Sequence, residues 1–253
     1  MRTPQIALYT DFGFDGPYVG QLKSVISRLA PEVPVIDLMH DVPSHDVKSA
    51  AYLLAALVGE FPVGTVFAAI VDPGVGSDER EPVVVKAEGR WFVGPGNGLF
   101  SSVVGQAASA EAWTVTWRPE RVSPSFHGRD IFAPVAARIS LGRHRPGRTC
   151  ELSNAVNLEW PLDLTRVIYI DRFGNAVTGV RAKTVAEDAV IDFGGRTLPR
   201  AFTFADVPEG SAMWYENSNG LVEIAVNRGR ADRELGLAVG SDVPIRSTGS
   251  GCL

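Results

Sequence analysis

Six residues, Val71-Asp72-Pro73-Gly74-Val75-Gly76, constrain the fold of this chain more than any other stretch. The run just before them, Thr65–Ile70, is apolar and rich in β-branched and aromatic residues, which is typical of a strand buried in the middle of a parallel sheet. Asp72 would then follow the carboxyl end of a central strand, where ligands bind in open α/β sheets. Alternatively, Asp72 only stabilises a turn, since Asp-Pro-Gly favours turns in any protein.

The first part of the chain alternates between strand and helix patterns. Short apolar runs predict strands, whereas apolar residues at helical spacing predict helices, the second of them capped by Asp46. This alternation predicts a doubly wound α/β domain with a central, mostly parallel sheet. The predicted strands are Ile6–Thr10 and Val35–Leu38, and the predicted helices are Tyr18–Leu29 and Val47–Glu60.

The pattern continues after the central loop. Val83–Ala87 and Trp91–Val93 flank Glu88-Gly89-Arg90 and predict a hairpin. We further expect a strand at Ala112–Trp117 and helices at Leu99–Val104 and Ile131–Leu141.

Residues 146–162 lack periodicity, and we interpret them as a linker between an N-terminal domain, residues 1–145, and a C-terminal domain, residues 163–253. The C-terminal part carries short strand patterns separated by turn signals such as Gly194-Gly195. It predicts a smaller, mostly antiparallel β-barrel or sandwich. The predicted strands are Arg166–Ile170, Ala176–Val180, Ala189–Phe193, Thr197–Ala201, Ala212–Tyr215 and Leu221–Val226.

Composition excludes several classes of function. The net charge of −5 gives no electrostatic reason to expect nucleic acid or an anionic membrane as a partner. Two cysteines, Cys150 and Cys252, form neither a disulfide framework nor a zinc motif, which favours a reducing compartment. No signal peptide and no apolar run of membrane-spanning length is visible. We therefore expect a soluble cytoplasmic protein.

Three loops of the first domain place polar groups at strand ends: Asp11, Asp72 with nearby Arg80, and His127. The topology would bring these groups to one edge of the sheet. A carboxylate, a guanidinium and an imidazole together could orient and polarise a water molecule. His127 could equally be a capping group of the helix that follows it.

Other chemistries have weaker support. The nucleophile motif Gly-x-Ser-x-Gly, the Walker loop and a GxGxxG after the first strand are all absent. A metal site using His40 and His45 is an alternative, but their spacing matches no standard zinc pattern, and Asp46 is better used as a helix cap. We expect no metal and no cofactor.

The second domain offers candidate binding groups. Asp171 and Asn175 flank a glycine at a predicted strand end and could bind an amino-acid zwitterion, or could simply form a turn held by side-chain hydrogen bonds. The aromatic and polar stretch Trp214–Gly220 could hold a flat ring or form a hairpin.

Taken together, the loops resemble one family. The chain is similar to the S-adenosylmethionine (SAM) hydroxide adenosyltransferases, or SAM hydrolases, relatives of the SAM-dependent fluorinase and chlorinase. The resemblance covers nearly the whole chain. The motifs that carry it are Thr10-Asp11-Phe12-Gly13, Val71–Gly76, Asn97-Gly98-Leu99, Phe126–Ala137, Asp171–Asn175 and Asn217-Ser218-Asn219-Gly220.

The resemblance implies an α/β domain followed by a β-barrel domain, assembled as homotrimers with active sites at subunit interfaces. Water or hydroxide would attack the 5′ carbon of SAM and yield adenosine and L-methionine without a cofactor. Asp72, Arg80 and His127 would position and activate the water, and Asp11 would bind the ribose hydroxyls. The implied substrate-binding residues are Asp11, Ser125, Phe126, Asp171, Asn175, Phe204, Ser218, Asn219 and Arg228.

Departures from the family pattern keep two alternatives open. The family arginine usually lies one residue nearer to the aspartate, where this chain has Glu79, which leaves room for a SAM- or adenosine-binding protein without turnover. A halogenase is the other alternative, although halogenating relatives have Tyr where Asp72 stands. Glycines replace polar residues usual in the family at Gly16, Gly96 and Gly179.

Overall fold

A computed structural model describes residues 4–77, 80–142 and 146–247, so that Glu79 and Cys252 lie outside the described residues. The chain divides into two compact units, the first ending at Trp160 and the second beginning at Pro161. Both helices and strands are present, which confirms the mixed α/β class. None of the helices in this described part is long and apolar enough to cross a membrane.

The first unit is built on a seven-stranded sheet. Its strands are β1 (Ile6–Thr10), β2 (Val35–Met39), β3 (Val66–Ile70), β4 (Pro82–Ala87), β5 (Arg90–Pro95), β6 (Ala110–Thr114) and β7 (Arg148–Cys150). They follow the order β2-β1-β3-β5-β4-β6-β7. The first four in this order pair in parallel, and the remaining pairs are antiparallel. The mostly parallel sheet and the β4–β5 hairpin are thereby confirmed.

Helices cover both faces of this sheet. They are α1 (Tyr18–Leu29), α2 (Val47–Leu57), α3 (Ser101–Gln106) and α4 (Ala133–Ser140). The helices α1 and α4 pack together over one apolar cluster, and α2 and α3 over another. Strand β3 is fully buried because alternate residues enter the two clusters, Ala68 on one face and Phe67 on the other. Asp72 therefore follows a central strand, as predicted.

Some element bounds differ from the sequence-based expectation. The predicted helix Ile131–Leu141 begins with a π-helical turn, Gly128–Phe132, before α4. Part of the expected linker 146–162 belongs to the sheet, since β7 pairs with β6. Gly147 permits this approach, because a Cβ there would overlap the carbonyl oxygen of Thr114. A three-residue strand, Arg-Thr-Cys, carries no apolar alternation that could have announced it.

The second unit contains two antiparallel sheets. One has the order β12-β13-β9-β8 and the other β11-β10-β14. The buried Trp214 joins them by donating from its indole nitrogen to the carbonyl oxygen of Ala189, 3.1 Å away. The antiparallel character is confirmed, and closure into a barrel stays a prediction. The elements are β8 (Leu164–Ile170), β9 (Ala176–Arg181), β10 (Ala189–Phe193), β11 (Arg196–Leu198), β12 (Ala212–Glu216), β13 (Leu221–Val226), α5 (Ala231–Glu234) and β14 (Ile245–Ser247).

Replacing glycine by alanine should have opposite effects on stability at two positions of the first unit. A Cβ at Gly94 would overlap the carbonyl oxygen of Ala69 and lie 2.9 Å from the ring of Phe100. We expect Gly94→Ala to lower the free energy of unfolding by roughly 1–3 kcal/mol, because the central strands must separate. A Cβ at Gly20 in α1 would meet nothing within 4 Å, so Gly20→Ala should raise the free energy of unfolding by about 0.5–1 kcal/mol. Urea denaturation followed by circular dichroism measures both, and equal stabilities would contradict this packing.

Candidate active site

The centre of the site is an ion pair between Asp72 and Arg80. Nε of Arg80 donates to Oδ1 of Asp72 over 2.9 Å, and Nη2 donates to Oδ2. Both side chains are only 5% exposed. Two parallel hydrogen bonds fix the carboxylate plane as well as neutralising its charge. Although Arg80 lies one residue beyond the usual family spacing, the structure places it directly on Asp72.

Arg80 also contacts His127. Its Nη2 lies 3.0 Å from Nδ1 of the imidazole. A guanidinium can only donate, so Nδ1 accepts this bond and the proton of a neutral imidazole resides on Nε2. The guanidinium additionally lies over the ring of Phe132, 5.6 Å from its centroid. Arg80 thus bridges the carboxylate and the imidazole, and the structure brings together the three residues predicted to handle the water.

Backbone contacts hold the two loops that carry this group. Gly76 has φ +81°, and a Cβ there would overlap the carbonyl oxygen of Pro124. The loop after β3 can therefore lie against the loop before His127 only because residue 76 has no side chain. Nδ2 of Asn97 donates to the carbonyl oxygen of Val71 over 2.9 Å and holds the start of the same loop.

A cavity of about 250 Å³ opens beside the ion pair. Phe126 forms part of its wall and packs edge-on against Tyr18 and Phe12, with centroid distances of 5.2 and 5.8 Å. Asp11 lines the cavity and accepts a hydrogen bond at Oδ2 from the backbone N–H of His45. The cavity gathers the predicted site residues of this unit except Arg80: its lining is Asp11, Phe12, Tyr18, Ser44, His45, Ile70, Asp72, Val75, Ser125, Phe126, His127 and Gly128.

The surroundings of His127 favour its neutral form. Burial lowers the pKa of the imidazole, and the positive charge of Arg80 lowers it further. The carboxylate of Asp72 acts in the opposite direction without cancelling these effects. His127 therefore stays neutral to a lower pH than an exposed histidine would.

In the second unit, Asp171 and Asn175 form a closed turn. The two oxygens of Asp171 accept from the backbone N–H of Asn175 at 2.8 Å and from its Nδ2 at 3.1 Å. Gly174 has φ +88° and completes the turn. The turn interpretation is therefore realised in this structure, and it also presents the two side chains as one preorganised group.

Beside this turn lies Glu223, which our sequence reasoning missed. The residue is only 5% exposed, and its carboxylate accepts hydrogen bonds from the hydroxyl of Tyr215 and from Nδ2 of Asn217, the latter at 2.9 Å. Burial, and to a lesser extent the charge of Asp171, raises the pKa of Glu223. Burial and Glu223 likewise raise the pKa of Tyr215. A single acid inside the apolar run Leu221–Val226 was the signal that could have revealed it.

The other predicted residues of this unit are dispersed. Phe204 packs against Tyr215, with ring centroids 5.4 Å apart. Ser218 and Asn219 are exposed on a turn. Arg228 pairs with Glu209 instead, and the two side chains are 75% and 68% exposed. The structure therefore groups Asp171, Asn175 and Phe204 around Tyr215 and Glu223, and leaves Arg228 on an exposed ion pair.

Family models match both parts of the chain. The model of the SAM hydroxide adenosyltransferase N-terminal domain matches residues 6–147, and that of the C-terminal domain matches residues 165–244. The chain belongs to the SAM hydroxide adenosyltransferase family. The resemblance carried by the motifs is thereby confirmed.

Similar proteins agree with this family. The chain is 40% identical to a protein of Thermus thermophilus named (R)-S-adenosyl-L-methionine hydrolase, covering 94% of this chain and 96% of that protein. A protein of Salinispora arenicola with the same name is 36% identical, covering 96% and 98%. The crystal structure of an uncharacterized conserved protein from Thermotoga maritima has a TM-score of 0.85 and 33% identity, covering 95% and 99%. A fluorinase of Nocardia brasiliensis is more distant, at 26% identity with 97% of both chains covered.

Two departures from the family pattern follow from close packing. The backbone N–H of Gly96 donates to the carbonyl oxygen of Glu81 over 2.8 Å, and a Cβ at residue 96 would lie 2.9 Å from that oxygen. A Cβ at Gly179 would lie 2.7 Å from the Cβ of Leu164 on the neighbouring strand. These positions have no room for a side chain, whereas at Gly16 a Cβ would meet only the ring of Tyr18, at 3.2 Å.

The histidines considered for a metal have other surroundings. His40 is fully buried and hydrogen-bonded to Thr10 and Asp37. Asp46 caps α2 by accepting from the backbone N–H of Ser49 at 3.0 Å, as predicted. Across the ranges that the structure describes, no group of three or more His, Cys, Asp or Glu side chains could hold a metal ion.

The contact between Arg80 and His127 predicts a shift that nuclear magnetic resonance can measure. In Arg80→Gln the imidazole pKa should rise, because the positive charge that lowers it is lost. Arg118→Gln is the matched control, since Arg118 lowers the same pKa less, and should give a smaller rise. Imidazole resonances followed through a pH titration, assigned with a His127→Gln variant, provide both values. An equal or larger effect of Arg118→Gln would contradict the bridging geometry.

The same shift has a consequence for stability. Because the pKa of His127 is lower in the folded protein than in the unfolded chain, the unfolded chain binds the proton more readily. The contribution of His127 to the free energy of unfolding should therefore decrease as the pH falls below about 6.5, the ordinary histidine value.

Proposed function

We propose that this protein hydrolyses SAM to adenosine and L-methionine by attack of water on the 5′ carbon. The observation that carries the proposal is the bridging of Asp72 and His127 by Arg80 beside a cavity, in a chain 40% identical to a named SAM hydrolase. We include the (R)-sulfonium form among the substrates, since the related hydrolases are named for it.

The proposed reaction does not need an acid catalyst for the leaving group. The C5′–S bond breaks as the C5′–O bond forms, and the sulfonium leaves as a neutral thioether, so the leaving group needs no proton. The barrier lies in aligning a weakly nucleophilic water with the 5′ carbon and removing its other water partners. A cavity with a fixed carboxylate and a fixed imidazole is suited to this task.

The hydrogen bonds suggest how the roles divide. Nδ1 of His127 is occupied by Arg80, so the imidazole presents Nε2–H and can donate to the oxygen of the water. Asp72 retains carboxylate lone pairs beyond those that Arg80 uses, and we assign to it the acceptance of the water's proton. Arg80 then positions both groups. No metal or cofactor takes part in this scheme.

The remaining residues would bind substrate. Asp11 has one oxygen taken by the N–H of His45 and would offer the other to the ribose hydroxyls. We assign the methionine end to Asp171 and Asn175, and further contacts with methionine and adenine to Ser125, Phe126, Phe204, Ser218, Asn219 and Arg228. Of these, Arg228 has the least structural support, since it is paired with Glu209.

We also propose the assembly and location that the family resemblance implies. The second unit would close into a β-barrel, and the chain would form a cytoplasmic homotrimer with active sites at subunit interfaces. The molar mass in solution tests the trimer directly. The two cysteines and the absence of a disulfide framework support the reducing compartment.

A halogenase is not favoured, although a fluorinase is among the relatives. A halide in the water position would lie against the carboxylate of Asp72, and like charges repel at this distance. The binding-protein alternative loses its main support as well, because Arg80 contacts both Asp72 and His127 despite its altered spacing.

Purified protein incubated with SAM in halide-free buffer containing a chelator should release adenosine and methionine in equal amounts. Separate incubations with the two sulfonium epimers show which form is used. We expect Asp72→Asn and His127→Gln to lower kcat at least about 100-fold, the usual size of a general acid–base contribution. Glu120→Gln, which removes an exposed carboxylate of the same unit, is the control and should keep full activity.

Liquid chromatography with mass detection follows both products. Consumption of SAM only when halide is added would favour the halogenase. Protection of the protein against heat by SAM, without any product, would favour the binding protein. Full activity of both the Asp72 and the His127 variants would contradict the mechanism even if SAM were hydrolysed.

A further inference from the structure

A chain of hydrogen bonds runs from the surface of the first unit to the wall of the cavity. Nζ of Lys23 lies 2.9 Å from Oδ2 of Asp37, and Oδ1 of Asp37 lies 3.1 Å from Nε2 of His40. Nδ1 of His40 lies 2.7 Å from the hydroxyl of Thr10, which in turn accepts from the backbone N–H of Phe12 at 3.3 Å. Thr10 and His40 are both fully buried. None of these hydrogen bonds takes part in the proposed reaction.

The direction of each bond follows from the chemistry of the groups. A carboxylate only accepts, so Nε2 of His40 donates to Asp37. In the neutral imidazole Nδ1 is then an acceptor, and the single hydrogen of the Thr10 hydroxyl points to it. The lone pairs of that hydroxyl are left for the N–H of Phe12. Between His40 and Phe12 each N–H or O–H then meets an acceptor, and with a neutral ring this is the arrangement that satisfies both the imidazole and the hydroxyl.

This series of hydrogen bonds ends at the wall of the cavity. Residues Thr10 to Gly13 are joined to residues 40–45 by three further hydrogen bonds: Gly13 N–H to the His40 carbonyl at 2.7 Å, Val42 N–H to the Thr10 carbonyl at 3.4 Å, and His45 N–H to Asp11 Oδ2 at 3.1 Å. Thr10 and Phe12 flank Asp11 on both sides. In the described part of the structure, Oδ1 of Asp11 has no hydrogen-bond partner in the protein.

We propose that Thr10 and His40, held by Asp37 and Lys23, are positioning residues that aim Asp11 at the vicinal diol of a nucleoside ligand. The inference rests on the proposed function, because it needs Asp11 to meet a ribose. The bond between Thr10 and His40 lies in the interior without water competition, whereas the outer pair of Lys23 and Asp37 is partly exposed and contributes less. Loss of the Thr10 hydroxyl should therefore matter most.

The test compares Thr10→Val, which keeps the shape and removes the hydroxyl, with Thr10→Ser, which keeps the hydroxyl. Titration calorimetry measures binding of adenosine and of 2′,3′-dideoxyadenosine to the full-length protein. We expect Thr10→Val to weaken the binding of adenosine about tenfold, as the loss of one well-aligned hydrogen bond does. Dideoxyadenosine lacks the diol, so its affinity should change less than twofold, and Thr10→Ser should restore adenosine binding to near the wild-type value.

A kinetic readout separates positioning from catalysis. Because Asp11 would hold the ribose equally in the ground state and the transition state, Thr10→Val should raise KM for SAM with little change in kcat. If Thr10→Val does not fold, Asp37→Ala is the second variant. This substitution leaves the Thr10–His40 contact in place. It should also weaken the binding of adenosine more than that of dideoxyadenosine, but by a smaller factor than Thr10→Val.

Two results would overturn the inference while leaving the proposed function intact. One is an unchanged adenosine affinity in the variants, and the other is an equal loss for adenosine and dideoxyadenosine, which indicates general damage to the cavity. Failure of the wild-type protein to bind adenosine at all would instead overturn the proposed function, and this inference with it.

Discussion

The buried ion pair of Asp72 and Arg80 is the interaction on which the arrangement of the first unit's site depends. Two charged side chains that are each 5% exposed would cost several kcal/mol apiece if left unpaired. Their bidentate contact offsets that cost and fixes both orientations. Because the same guanidinium also holds His127, three segments must take up their positions together: the end of β3, the segment around Arg80 that leads into β4, and the loop ahead of the π-helical turn.

The fold supplies the conditions that make this pair possible. Parallel strands bring Asp11 and Asp72 to one edge of the sheet, and β3 is buried on both faces, so the edge is rigid. Gly76 lets one loop lie against another, and Asn97 holds the loop at its start. The buried bond between Thr10 and His40 does the same for the loop that carries Asp11. The ion pair, the close packing at Gly76 and the backbone hydrogen bonds therefore all position residues around the same cavity.

Much of this could be predicted from the sequence, and the exceptions have physical reasons. The bounds of β1 and α1 were predicted to the residue because apolar spacing alone determines which residues are buried. The π-helical turn at Gly128–Phe132 was missed because packing, rather than local periodicity, selects it. Spacing could not decide whether Arg80 reaches Asp72, since the loop between them can bulge. Glu223 was overlooked because its strand reads as simply apolar.

The most direct test of the central claim is to run the reaction in water enriched in oxygen-18, in halide-free buffer containing a chelator, and to locate the label by mass spectrometry. If water held by Asp72 and His127 attacks the 5′ carbon, adenosine should carry one labelled oxygen, in its 5′ hydroxyl, and methionine should carry none. Adenosine without the label, or label in methionine, would contradict the account, because the new bond would then not join water to C5′.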